Sequence, residues 1–279
     1  DSLQRYPSLR DMLKGEIPLL SVGGPVYLGP NSSIFPAKQK NGFGNQKGAN
    51  DADWDKNGQS QNGTPEYGVK VIKRYLSKRW VRQDIAWVAE QIWDEYLATT
   101  TVRQQLAGTG AEGRVHTAYD FGLSIVEIGN LVVKKGNVSR KPCPAYVIGY
   151  IVFDFDLGMN VRQLLDKGYL FSGKDYSALV SALLPVLMAV HGVGIMHNDI
   201  GIRNIMATPS LDGHGRVVGA DFQEARLVDW QAAYMQSNAG RRGRLGSVIA
   251  TTGFLAPELF ISPTASPQSD IFALGAIGH

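Results

Sequence analysis

Three side chains in the second half of the chain have the types and spacing that phosphate chemistry needs: Asp199, Asn204 and Asp229. Two short apolar runs, 195–196 and 227–228, each deliver a carboxylate, and Asn204 follows the first of these by five residues. A carboxylate in that setting can take the proton from an attacking hydroxyl. A second carboxylate together with an amide oxygen offers hard ligands to a cation such as Mg2+. The minimal reading is a base and a metal site delivered to one place by two strand-like runs.

The local sequence reads His197-Asn198-Asp199 through Asn204, then Asp229-Trp230-Gln231. It resembles the catalytic loop and the metal-binding Asp of the protein-kinase family, written H-R-D-x-x-x-x-N and D-F-G. Downstream, Thr251-Thr252-Gly253-Phe254-Leu255-Ala256-Pro257-Glu258 resembles the A-P-E end of an activation segment. Ser269-Asp270-Ile271-Phe272-Ala273-Leu274-Gly275 resembles the start of the central C-lobe helix, whose Asp braces the catalytic-loop backbone in that family. Four motifs in order carry a resemblance that runs from about residue 26 to the last.

The resemblance implies an α+β, two-lobed protein-kinase-like fold: a small antiparallel-sheet N-lobe and a mainly helical C-lobe. It divides the chain into an N-terminal extension (1–25), an N-lobe (26–155) with a mobile insertion at 41–64, and a C-lobe (156–279) that is incomplete, because the sequence stops just inside the central helix. The implied cofactors are ATP and Mg2+, with Asp199 as the base and Asn204 and Asp229 holding the metal.

The elements that must position these groups follow from pattern. Residues 66–73 alternate like a strand and resemble the family's V-A-I-K, with Gly68 where Ala is usual. Lys70 and Lys73 are three apart and so face opposite sides, and the resemblance makes Lys70 the phosphate-contacting lysine. Residues 80–98 read as an amphipathic helix with Ile85, Val88, Ile92, Trp93, Tyr96 and Leu97 near one face. Its Glu90, beside Ile92 and Trp93, is the expected partner of Lys70; Glu95 is expected to be only solvated. Residues 146–155 form an apolar strand in which Phe153 matches the residue guarding the adenine pocket. Asp154, Phe155 and Asp156 match the hinge, whose main chain would bond the adenine edge. A short helix at 160–165 and a longer one at 176–191, broken or kinked at Pro185, lead to the catalytic loop. His191 and the motif His197 are expected to brace the structure rather than react.

Some features mislead. Asp120-Phe121-Gly122 is a literal D-F-G, but it precedes the catalytic loop and reads as part of a fourth strand at 115–128. Asp53-Trp54-Asp55-Lys56-Asn57-Gly58 matches half of a calcium-binding loop, yet its twelfth position is Thr64 instead of a bidentate Glu. The stretch 41–64 has no helical or strand period and reads as a loop.

Composition sets outer bounds. The 279-residue chain can bury about three quarters of its unfolded surface. A net charge of +3 does not argue for nucleic acid. The single cysteine, Cys143, lies between two prolines, which suggests a loop, and it fits an intracellular, cytoplasmic or nuclear setting. The apolar stretch 179–196 contains Pro185, His191 and two glycines and reads as a buried helix, so no membrane association is expected. The implied partners are ATP and a protein substrate.

The departures from the family pattern also carry information. Residues 29–35, Gly-Pro-Asn-Ser-Ser-Ile-Phe, stand where a G-x-G-x-x-G phosphate loop belongs. Asn198 replaces the arginine that receives an activation-segment phosphate, although Arg241, Arg242 and Arg244 could form another anion site. Gly201 stands where Ser/Thr kinases have a Lys, and Arg203 where tyrosine kinases have an Arg; Ala250-Thr251 fits the Ser/Thr pattern. Gln231 replaces the D-F-G glycine, and Asp-Trp-Gln also resembles aminoglycoside and choline phosphotransferases. The expected function is transfer of the ATP γ-phosphate to protein Ser or Thr hydroxyls. Small-molecule phosphotransfer and a pseudokinase binding module are the alternatives.

Overall fold

A computed structural model describes residues 20–22, 27–28, 32–39, 67–76, 81–134, 137–154, 158–235, 253–261 and 266–279. The 41–64 insertion, Asp156, Thr251 and the Arg241, Arg242, Arg244 cluster lie outside these residues. The described chain forms two compact units. One takes the residues up to Trp93 and those within 118–156; the other takes Asp94–Thr117 and the remainder from 158 on.

The first unit is an antiparallel sheet. Its strands are β1 (Leu20–Val22), β2 (Tyr27–Leu28), β3 (Ser32–Gln39), β4 (Tyr67–Tyr75), β5 (Ala118–Lys134) and β6 (Asn137–Asp154). They order as β1-β3-β4-β6-β5, with β2 also on β3. Central β4 is rich in Val, Ile and Tyr, and its Val69, Val71 and Ile72 are buried. The sheet starts earlier than expected, because Leu20–Val22 pairs with the end of β3 instead of belonging to an extension. Residues 32–35, read as part of a phosphate loop, are the start of β3, paired with both β2 and β4.

Cys143 is in strand β6, opposite Ile128, and not in a loop. Its flanking prolines lie beyond Tyr146, where the pairing of β6 with β4 ends, so among the described residues β6 there has a neighbour on one side only. Proline is tolerated in a strand at such an edge.

Helix α1 (Val81–Leu106) is longer than its expected span. Val88, Ile92, Glu95, Thr99, Val102 and Leu106 are all buried and recur at alternating intervals of four and three, which makes one stripe. The first half of this stripe seats on the sheet at Gly149, where a Cβ would run into Val88 and Ile92. Trp93, expected on the packed face, is 40% exposed and meets the Phe121 ring in a T-shaped contact.

The second unit contains β7 (Met159–Asn160), α2 (Val161–Asp166), α3 (Gly173–His191), β8 (Ile195–Met196), β9 (Ile205–Leu211), β10 (Val217–Leu227), β11 (Tyr234–Met235) and α4 (Pro267–Ile277). Residues 94–117 belong here because Ala98, Val102 and Leu106 of α1, with Ala111 and Val115 after it, join this unit's core. Three helices start at side-chain caps that satisfy orphan N–H groups: Asn160 with Gln163, Ser172 with Asp175, and Ser266 with Ser269. Helix α3 runs through Pro185 without a break. Pro185 and Ser181, whose carbonyl loses its partner, are both exposed, so water can take the lost bond. By length and composition alone α3 could cross a membrane, but its Leu179, Leu183, Val186, Leu187 and Val190 are core residues of this unit.

Candidate active site

The centre of the site lies within the second unit. Strands β8 and β11 pair Met196 with Tyr234 and Ile195 with Met235. This short ribbon ties the chain entering 197–204 to the chain leaving 228–233. His197 is fully buried, donates from Nε2 to the Val228 carbonyl at 3.1 Å, and accepts the Asp199 N–H at Nδ1 at 3.3 Å. Its ring meets Trp230 edge-on with centroids 4.6 Å apart, and the Trp230 indole donates to the Leu227 carbonyl. His197 is therefore fixed on both ring nitrogens and one face, a bracing role.

Asp270, 1% exposed in the first turn of α4, holds the loop from below. Its Oδ2 accepts the His197 N–H at 2.8 Å and lies 2.9 Å from His191 Nε2. Its Oδ1 accepts the Asn198 N–H at 2.9 Å. These contacts hold Asn198 at φ 64, a left-handed conformation that Asn tolerates better than most residues. The Asn198 amide donates to the Ala232 carbonyl at 3.2 Å. Its Oδ1 is buried with no partner among the described residues.

Asn204 is 8% exposed and directs Nδ2 to both the carbonyl and the carboxylate of Asp199, at 2.8 and 2.9 Å. With both amide hydrogens assigned to Asp199, Oδ1 is the atom that Asn204 offers to a cation. The Asn204 carbonyl accepts the Val228 N–H at 2.9 Å, which joins the two halves of the site one residue before Asp229. Asp229 has φ 65 and leads into a 3-10 turn, Trp230–Ala232. The structure thus joins Asp199 to Asn204 through side chains and ties the residue before Asp229 to Asn204 through the main chain. An amide oxygen and a carboxylate are hard donors, and this set fits Mg2+.

Lys70, Glu90 and Asp154 lie in the first unit, and Asp156 is outside the described residues. Lys70 is 5% exposed on β4 and opposite Ile151 of β6. Strand alternation puts Lys70 on the same face as Ile72 and Gly149, the face that carries Val88 and Ile92 of α1. Glu90 does not follow that stripe. It is two residues from Val88 and exposed, whereas Glu95 lies on the stripe and is 7% exposed, so the expectation that Glu95 is merely solvated is corrected. The missed signal was the continuation of the stripe through Thr99, Val102 and Leu106. Asp154 ends β6 opposite Tyr67. The upstream Asp120-Phe121-Gly122 lies inside β5, where Asp120 caps the Phe121 N–H and Phe121 packs on Trp93.

A family model described as "Protein kinase domain" matches residues 132–279, a stretch that includes every catalytic-loop residue above and begins after Lys70 and α1. "Probable serine/threonine-protein kinase PknB" of Bifidobacterium longum is 28% identical over 159 residues, 57% of this chain and 20% of that protein. "Probable serine/threonine-protein kinase PknB" of Corynebacterium glutamicum is 31% identical over 131 residues, 47% of this chain and 18% of that protein. "Serine/threonine-protein kinase PknA" of Mycobacterium tuberculosis is 28% identical over 130 residues, 47% of this chain and 27% of that protein. The chain thus spans only about a fifth to a quarter of the length of these relatives. With the family model covering more than half of it, the chain belongs to the protein kinase family.

Proposed function

We propose that this chain is the phosphotransfer domain of a protein kinase that moves the γ-phosphoryl group of ATP to Ser or Thr hydroxyls of a protein. One observation carries the reading: a single amide, Asn204, orients the Asp199 carboxylate and presents its own oxygen beside the Asp229 segment. In this reading Asp199 accepts the proton of the substrate hydroxyl. Asn204 and Asp229 would hold Mg2+, which supplies charge neutralisation to the phosphates when bound. Lys70 would orient the α- and β-phosphates. Catalysis then rests on positioning and electrostatics.

The Ser/Thr preference is supported by the names of the relatives and by Ala250-Thr251 ahead of the Ala256-Pro257-Glu258 segment. Small-molecule phosphotransfer, suggested by Asp229-Trp230-Gln231, is the competing class. Labelled ATP offered with proteins and with aminoglycoside- or choline-like alcohols tests both. Label on protein Ser or Thr, lost in Asp199→Asn, is the expected result. Label only on the small alcohol would transfer the chain to the competing class. No transfer by wild type that is folded and binds Mg-ATP would leave a binding module.

A further inference from the structure

One cavity in the second unit is lined by residues outside the catalytic loop. It has a volume of 510 Å3, within the roughly 300–1,000 Å3 typical of ligand pockets. Its lining comes from three places: Arg114 in the turn after α1, Gln223 on β10, and the first turns of α3 with Lys174, Ser177, Ser181 and a floor of Ala178 and Ala182.

The charge at this cavity is directional. Its lining holds two cations and no carboxylate. Lys174 is exposed and makes no ion pair among the described residues. Arg114 is 19% exposed at its side chain and forms a forked ion pair with Glu224, at 3.0 and 3.3 Å. That pair uses one N–H from each terminal nitrogen, and guanidinium has five, so three donors remain. The one acidic residue of α3, Asp175, is engaged with Ser172. The N-terminal turn of α3 adds the positive end of a helix dipole. The turn carrying Arg114 is itself anchored, since Arg103 donates to the carbonyls of Glu112 and Val115, each at 2.9 Å.

The remaining polar groups indicate what kind of anion fits. Ser177, Ser181 and Gln223 can each donate and accept hydrogen bonds, which a peptide backbone requires and a simple anion does not. Ala178 and Ala182, one helical turn apart, leave a low apolar floor between them. We propose that this cavity is a recruitment site for an extended acidic peptide segment. An Asp or Glu carboxylate of the segment sits between Lys174 and Arg114, and its backbone runs over Ala178 and Ala182 between the serines and Gln223. This deepens the protein-substrate reading, on which the identity of the occupant rests, because the segment would belong to a protein brought to the kinase.

Binding can be measured without ATP, separately from transfer. The probes are a short fluorescein-labelled peptide of Ala, Glu and Asp and its counterpart of Ala, Gln and Asn, read by anisotropy on the full chain. The acidic peptide should bind saturably and about tenfold or more tightly than the neutral one. Lys174→Glu and Ser177→Glu, both at exposed positions, should each weaken it about tenfold with melting temperature unchanged, and Gln223→Glu provides the same test from another strand. Lys167→Glu, on a different exposed turn, should leave binding as it is. Absence of saturable binding overturns the proposal. Equal binding by the three cavity variants, or an equal loss in Lys167→Glu, overturns it too. A chain that binds the acidic peptide but labels no protein keeps this site and loses the kinase reading.

Discussion

Asn204 turns its amide nitrogen to Asp199 twice, to the main-chain carbonyl at 2.8 Å and to the carboxylate at 2.9 Å. One side chain therefore orients the Asp199 carboxylate and keeps its own oxygen out of that contact, which is what the proposed base and metal roles require. In Asn204→Ala both functions are lost together, so transfer and Mg-ATP binding should fall in parallel. Asp199→Asn should separate them: Mg-ATP binding nearly unchanged, and turnover lower by roughly 10²-fold or more, as for loss of a general base. Thermal-shift titration at fixed Mg2+ reads the binding, and labelled transfer reads the turnover. An Asp199→Asn protein with wild-type turnover would remove Asp199 from the mechanism.

Asp270 sets the shape of the catalytic loop from beneath. It accepts two backbone N–H groups, from His197 and Asn198, and contacts His191. In Asp270→Ala those buried donors are stranded. With hydrogen bonds to a charged group worth about 1.5–3 kcal/mol each, the expected loss is about 3 kcal/mol or more. Asp270→Asn can still accept one of the donors and should lose less. Denaturant unfolding of the two variants gives the order. Equal stability of Asp270→Ala and wild type would contradict the bracing role.

How much of this was legible depended on the range of the interaction. Asp199, Asn204 and Asp229 could be singled out because two short apolar runs lead to the carboxylates and Asn204 follows Asp199 at a fixed spacing. The burial of Glu95 was missed because Trp93 suggested a face that only tertiary packing decides; Trp93 lies at the sheet's edge against Phe121. Cys143 was misread because prolines signal loops, whereas here they stand in a strand that, among the described residues, pairs there on one side only. Leu20–Val22 is too short to declare itself and becomes a strand only through its pairing with β3. The role of Asp270 was legible from its motif, but the engagement of His191 by the same carboxylate was not, since those residues are 79 apart.

Burial separates two otherwise similar carboxylates of α1, Glu95 at 7% exposure and the exposed Glu90. Glu95→Ala should cost about 1–3 kcal/mol, because it strips a polar side chain from the buried stripe and strands the groups that side chain satisfies. Glu90→Ala should stay within about 0.5 kcal/mol of wild type, because Glu90 is exposed on the opposite side of the stripe. Denaturant unfolding of both variants decides it. An equal cost at the two positions would mean that the burial of Glu95 has no structural consequence.

The start of α3 gives a pH signature that needs no substrate. Burial pushes the Asp175 carboxyl up, but hydrogen bonds from the Ser172 hydroxyl and N–H, with a further one from the Tyr169 hydroxyl, outweigh it, and the net shift is below the ordinary value of 3.8. A carboxylate held below its unfolded value contributes stability that is fully present above about pH 3.8. That contribution fades as pH falls through the lower folded value. Ser172→Ala removes the reciprocal cap and should cost about 1 kcal/mol near neutral pH. The stability difference between wild type and Asp175→Ala should be constant from neutral pH down to about pH 5 and shrink below 3.8. Urea unfolding across that range tests the sign: a difference that grows as the solution is acidified would mean that burial, and not the Ser172 bonds, governs the carboxyl.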